Sequence, residues 1–166
     1  MNYAQYLSMK KVNSKLSNIK QYFEHIIETI QWDDIIAFDN HPFAYKMIDE
    51  LYKANIKISV ISYSTDIIKY VSKYTDFNII IPNGIVDSAS HVIIGKRVLE
   101  TFSKYQIRFY FVSAPFMNED KLYKTVPAIA EIQNTIKNCT HSVLLMNRPD
   151  PIIGDSNGQY IEIGDF

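Results

Sequence analysis

Asp39 and His41 stand two positions apart in the stretch Asp39-Asn40-His41-Pro42-Phe43, a carboxylate and an imidazole able to bind an anion or move a proton near neutral pH. A second polar stretch, Ser62-Tyr63-Ser64-Thr65-Asp66, gathers hydroxyls and one carboxylate. Asn83-Gly84, residues 113–120 and residues 147–150 complete a set of polar segments that follow apolar runs. Each has a plainer reading. Ser64, Thr65 or Asp66 can cap a following helix, and Asp39 can do the same for the next one, because such side chains accept from first-turn N–H groups. His25, His41, His91 and His141 lack the close spacing of a metal site and Cys139 is the single cysteine, so neither a metal nor a cofactor is expected. G-x-G-x-x-G, Walker and G-x-S-x-G patterns are missing, which argues against dinucleotides, nucleoside triphosphates and serine-hydrolase chemistry.

The elements that position these segments show as an alternation of patterns. Residues 35–38, 56–61, 78–81, 108–112 and 142–146 are short and mostly apolar throughout, as strands buried on both faces are. Between them, Phe43, Met47, Ile48 and Leu51 share one helix face, as do Ile67, Ile68 and Val71, then Val98, Leu99 and Phe102, then Ile129, Ile132 and Ile136. Pro127 suits the first turn of the last of these. An earlier stripe of Leu16, Ile19, Phe23, Ile26, Ile27 and Ile30 predicts a helix beginning around Met9 or later. Asn83-Gly84 predicts a turn, residues 91–94 an added strand and residues 160–163 an edge strand. Strand alternating with helix predicts an α/β fold, a Rossmann-like, mostly parallel sheet with helices on both faces. Ligands of such sheets gather outside the carboxyl ends of the strands, where the polar segments fall.

A chain of 166 residues predicts a single domain spanning 1–166, and a net charge of −1 supplies no general attraction to polyanions. Without an apolar stretch of membrane-spanning length or a secretory signal, and with one cysteine, a cytoplasmic protein is expected. Twelve Tyr and nine Phe exceed what the sheet core needs, which makes Tyr3, Tyr6, Tyr105 and Phe116 candidates for a self-association face.

The order of "DDIIAFD", "ISVISYSTDIIKYV", "NIIIPNGIVDSASHVIIGKRVLETF", "RFYFVSA" and "HSVLLMN" resembles the C-terminal effector-binding domain of DeoR-family bacterial transcription regulators, over residues 9–147. The resemblance implies the fold shared by ribose-5-phosphate isomerase and the CoA transferases, a homo-oligomer, and a sugar phosphate or related metabolite as ligand. DNA would be reached only through an N-terminal helix-turn-helix for which this chain has no room. Carried over residue by residue, it implies ligand contacts from Asp39, His41, Ser62, Tyr63, Ser64, Asn83, Gly84, Gly95 and Lys96.

The ligand-facing positions depart from the family pattern. Asp39 keeps the Asp that closes the first strand, but the Gly-Thr-Thr-like turn falls on His41, Pro42 and Phe43, where Pro removes a backbone donor and Phe replaces a hydroxyl with bulk. The Thr-Asn-Ser-like positions become Ser62, Tyr63 and Ser64. Of a Gly-Gly turn Gly84 remains beside Asn83, Gly95 is retained ahead of Lys96 and Arg97, and a later Asp and Lys fall on Asn147 and Asp150. Three readings follow: a sensor for a changed ligand, with His41, Tyr63 and Lys96 in contact; an interaction module that has lost sugar-phosphate binding; and an isomerase-like enzyme resting on Asp39 and His41. The sensor is the expectation and an enzyme the least expected, because isomerisation needs firm phosphate anchors as well as an acid–base group.

Overall fold

The computed structural model describes residues 24–152 and 160–165. After a helical stretch at 24–29 come β1 (Ile35–Phe38), α1 (Pro42–Lys53), β2 (Ser59–Ile61), α2 (Thr65–Tyr74), β3 (Asn78–Ile80), β4 (Ile85–Asp87) and β5 (Val92–Ile94). The chain continues through α3 (Lys96–Ser103), β6 (Ile107–Val112), β7 (Phe116–Asn118), β8 (Lys121–Lys124), α4 (Pro127–Asn138), β9 (Thr140–Leu145), β10 (Asp150–Pro151) and β11 (Ile161–Asp165).

The five expected strands form one sheet in the order β3-β2-β1-β6-β9, every neighbouring pair parallel. Successive strands are added in one direction from β1 to β3 and in the other from β6 to β9, so the order reverses between β1 and β6. In open α/β sheets that reversal opens a crevice above the strand ends.

Side chains alternate across this sheet with the strand period of two. Ile36, Phe38, Phe109 and Phe111 face a core closed by α1, α2 and the helical residues 24–29, with Phe38 stacked on Phe111 at a 4.9 Å centroid distance. Ala37, Tyr110 and Val112 face a second core closed by α3 and α4. Full burial of one such aromatic side chain is worth about 1.5–3 kcal/mol, enough for a one-residue slip of register to be strongly disfavoured.

The doubly wound expectation agrees with this architecture, with local differences. The strand expected over 56–61 joins the ladder only at Ser59, because the Lys57 carbonyl accepts from Asp33 N–H at 3.1 Å and Ser59 N–H donates to the Asp34 carbonyl at 3.0 Å. The added strand becomes β5, paired antiparallel with β4 in a hairpin. Residues 113–120, a polar segment following an apolar run, contain β7, which turns at Glu119 (φ 52°) into β8; with β10 and β11 these strands form a small sheet in the order β10-β7-β8-β11. Of the first helical stripe, Leu16, Ile19 and Phe23 lie outside the described residues, as do Tyr3 and Tyr6. Tyr105 packs against the α3–α4 core, and Phe116 meets Tyr160 edge-on at 5.0 Å. Among the described residues, no helix is long and apolar enough to cross a membrane.

Candidate functional site

At the end of β1 the ladder runs one residue further, Asp39 N–H donating to the Phe111 carbonyl at 2.9 Å. The Asp39 side chain turns inward and is 2% exposed. Its Oδ1 accepts from the Tyr110 hydroxyl at 2.6 Å, and its Oδ2 from Ser113 N–H at 2.8 Å and Gln133 Nε2 at 2.7 Å. Gln133 Nε2 also donates to the Ser113 carbonyl at 2.8 Å. One carboxylate thus joins β1, β6 and α4 at the point of strand reversal.

Burial raises the Asp39 pKa, outweighing the pull of Lys124 and of the three donors. Tyr63 and Tyr110 are held protonated, their pKa values well above the ordinary phenol value through burial and then the nearby Asp39 carboxylate. The half-buried Lys124 is pushed down by burial and back up by Asp39.

His41 lies elsewhere and does another job. Its Nδ1 accepts from Phe43 N–H at 3.1 Å and caps α1, the task that the sequence allowed to Asp39. Burial lowers its pKa, favouring the neutral ring whose lone pair the cap requires. Beside it the Tyr45 hydroxyl donates to Asn40 Oδ1 at 2.6 Å, Asn40 Nδ2 to Asp66 Oδ2 at 3.3 Å, and His91 Nδ1 stands 3.0 Å from Asp66 Oδ2. Side chains therefore fill the strand-to-helix turn that carries backbone donors in phosphate-binding folds.

Ser62 and Ser64 serve the backbone. Buried Ser62 Oγ donates to the Phe38 carbonyl at 2.6 Å and accepts from Ser64 N–H at 3.1 Å. Ser64 is the N-cap of α2, its Oγ accepting from Ile67 N–H at 3.4 Å. Ile93 N–H donates to the Tyr63 carbonyl at 2.8 Å and Thr65 N–H to the His91 carbonyl at 2.9 Å, which draws the β4–β5 hairpin across the end of β2. Asn83 is exposed, and its N–H donates to Thr101 Oγ1 at 3.2 Å. Gly84 lies so close to the hairpin and α3 that a Cβ there would sit 2.5 Å from the Ile94 carbonyl oxygen and 2.6 Å from Val98 Cγ2.

Gly95 and Lys96 border a cleft of about 520 Å³ between the N-terminal halves of α3 and α4, within the roughly 300–1,000 Å³ common for small-molecule sites. Ile94, Leu99, Ala128 and Ile132 supply apolar walls; Lys96 and Glu131 bring opposite charges. Gly95 has φ 128°, a conformation that favours glycine, and among the described residues no side chain caps α3 there. Such an end presents outward-pointing N–H groups and a partial positive charge.

The sequence-identified residues thus separate. Gly95 and Lys96 meet at the cleft with Gly84 packed behind them, Asp39 and Tyr63 share the buried cluster, Ser62 and Ser64 hold turns, and His41 and Asn83 stand apart. Sequence reasoning placed Ser113 in a strand-end polar segment but missed Tyr110, Lys124, Glu131 and Gln133. Gln133 did leave a signal, as the polar residue on the otherwise apolar face formed by Ile129, Ala130, Ile132 and Ile136. Among the described residues, no group of His, Cys, Asp and Glu could hold a metal ion.

Strand order and helices on both faces define a doubly wound α/β domain. The chain belongs to the DeoR C-terminal sensor domain family, whose pattern matches residues 24–148. Its fold is similar to that of eIF2B delta from Chaetomium thermophilum in a crystal structure, with a TM-score of 0.50, 12% identity, and coverage of 84% of this chain and 49% of that one. The tetrameric eIF2B-beta2-delta2 complex from C. thermophilum matches at a TM-score of 0.49 and 12% identity, over 78% of this chain and 40% of that one. The chain therefore spans about half the length of the first of these structures or less. No curated protein matches the sequence.

Proposed function

We propose that residues 1–166 are the effector-binding domain of a bacterial DeoR-type transcription regulator, and that a phosphorylated sugar or related small metabolite binds between α3 and α4. One observation carries this reading: the cleft sets an uncapped helix end, Gly95 and Lys96 against Glu131 across apolar walls. In this reading the phosphate takes the Lys96 ammonium and the first-turn N–H groups of α3, Glu131 accepts from a sugar hydroxyl, and the carbon chain lies on Leu99 and Ile132. Asp39, Tyr63 and Gly84 shape the site from behind it, whereas His41, Ser62, Ser64 and Asn83 hold the surrounding turns.

The role is regulatory, not catalytic. Asp39 has both oxygens engaged in the core and His41 is engaged as a helix cap, which supports the sensor over an isomerase. The protein is cytoplasmic and works as a homo-oligomer, reaching DNA through a separate helix-turn-helix. Exposed Ile81, Ile85 and Val86, at 59%, 76% and 53%, favour a self-association face around the hairpin.

A thermal-shift and calorimetric panel of pentose and hexose phosphates tests the reading, with Lys96→Glu in parallel. A ligand at a hundred times its dissociation constant stabilises by about 2.7 kcal/mol, and Lys96→Glu is expected to remove that gain without lowering unliganded stability. Absence of a shift with every phosphate would sink the proposal, and an undiminished shift in Lys96→Glu would move the site elsewhere.

A further inference from the structure

The family pattern ends at residue 148, and the chain continues into β10 and β11. β11 lies at the edge of the small sheet, antiparallel to β8, with Glu162 opposite Tyr123 and Gly164 opposite Leu122. Its side chains alternate as those of a strand laid over a core do. Ile163 is buried in the core closed by α3 and α4 and Ile161 packs against that core, whereas Glu162 faces outward and meets Lys121 Nζ at 3.0 Å. Just ahead of the strand, the Tyr160 ring stands edge-on to Phe116 of β7.

β11 also rests on α4. Ile129, Ala130, Ile132 and Ile136 of that helix share the core with Ile163. Gly164 comes so close that a Cβ there would stand 2.8 Å from Lys137 Nζ and 3.2 Å from Asn134 Oδ1, and its φ of 143° favours glycine. α4 packs on β6 and β9 as well, so the helix is held between the main sheet and the small one. Its Ala128, Glu131 and Ile132 form one wall of the cleft. The attachment of β11 is slight: among the described residues, one fully buried side chain, one surface ion pair and a ladder with a register shift between Glu162 and Gly164. Surface ion pairs add little, and elements with few buried contacts open as separate units at lower free energy than the core.

We propose that β11 is a releasable strap that clamps α4, so that its release loosens one wall of the α3–α4 cleft while the five-stranded sheet stays folded. Closed, the strap completes the small sheet, covers the α4 face that Ile163 meets and seals the edge of β8. Open, it leaves that face in water and the β8 edge unpaired, and α4 keeps only α3, β6, β8 and β9 as neighbours. The strap lies outside the residues that the family pattern covers, and is a conformational device added to the shared sensor fold. It stands independently of the effector reading; where both hold, the strap adjusts the site that the effector fills.

Tyr123 and Glu162 face each other in the register, so Tyr123→Cys with Glu162→Cys, in a Cys139→Ser background, sets a disulfide across the strap that can be closed and reopened in one protein. Hydrogen exchange read by mass spectrometry then compares the oxidised and reduced forms of the full chain. Residues 121–124 and 127–138 are expected to exchange at least about tenfold faster when the disulfide is reduced, with residues 35–38 and 59–61 alike in both forms. Gly164→Val, which the φ of 143° disfavours, should speed exchange in the same segments relative to wild type. Should Gly164→Val fail to fold, the oxidised and reduced pair decides. Failure of the disulfide to form within one chain would overturn the inference, as would exchange in α4 that is unaffected by it. A parallel change in every strand and helix would also overturn it, since β11 would then open only with the whole domain.

Discussion

The Tyr110 hydroxyl donates to Asp39 Oδ1 at 2.6 Å, joining residues 71 positions apart across the boundary where the strand order of the sheet reverses. The contact couples the two halves of the fold, because Asp39 closes β1 and Tyr110 belongs to β6. Tyr110→Phe is expected to lower stability by about 1.5–3 kcal/mol, the range for a hydrogen bond to a charged group. Urea denaturation measures this, and a cycle with Asp39→Asn should show strong non-additivity. Additive losses would mean that the two side chains do not act together.

Asp39 and His41 should make opposite contributions to the pH dependence of stability. Asp39 has its folded pKa raised above 3.8 by burial, so its contribution is fully present below pH 3.8 and is lost as pH rises through the folded value. Urea melts at a series of pH values should show the wild type gaining on Asp39→Asn as pH falls from neutrality toward 3.8. A constant difference between the two would contradict the raised pKa.

His41 has its folded pKa lowered below 6.5 by burial, so its contribution is present above pH 6.5 and is lost as pH falls through the folded value. Protonation also removes the Nδ1 lone pair that caps α1. His41→Asn keeps a capping oxygen that does not titrate, and wild type should lose ground to it on acidification below pH 6.5. His41→Ala should cost roughly 1 kcal/mol at neutral pH.

Asn147 acts as an extra strand residue for β6. Its Oδ1 accepts from Ala114 N–H at 3.0 Å and its Nδ2 donates to the Ala114 carbonyl at 2.7 Å. Asn147→Leu leaves both backbone groups of a buried residue unmet, and a loss of about 1–3 kcal/mol in chemical denaturation is expected. Asn147→Asp should preserve one of the two bonds and lose less.

Gly84→Ala should disturb the cleft from behind. The new Cβ would fall 2.5 Å from the Ile94 carbonyl oxygen, and backbone cannot swing aside as a side-chain tip can. Overpacking of this kind costs about 1–3 kcal/mol. The expected signature is a lower melting temperature together with weaker sugar-phosphate binding; unchanged values for both would show that the hairpin adapts.

The framework was legible in the sequence because each part of it is written locally. Apolar runs of strand length lie between helical stripes, and the stripe from Phe43 to Leu51 is the buried face of α1. Ser64 could be read as the cap of α2, and Gly95 as the residue ahead of α3. The β7–β8 hairpin was not legible, since "FMNEDKLYK" has no clean alternation and owes its pairing to β10 and β11.

The sequence by itself determined the alternation of strands and helices, the faces they bury and the turns between them, since period and capping depend on residues a few positions apart. Only the tertiary structure decided what the polar side chains do. Asp39 and His41 look like a catalytic pair two positions apart, yet one turns inward to meet Tyr110 and Gln133, 71 and 94 residues away, and the other caps its own helix. The physical reason is that a side chain's partners are set by crossovers that bring distant segments together, and burial then decides which polar groups must find one another. Gln133 is a polar interruption in a helix stripe until the fold places it beneath the reversal of strand order and leaves its carbonyl oxygen without a partner among the described residues.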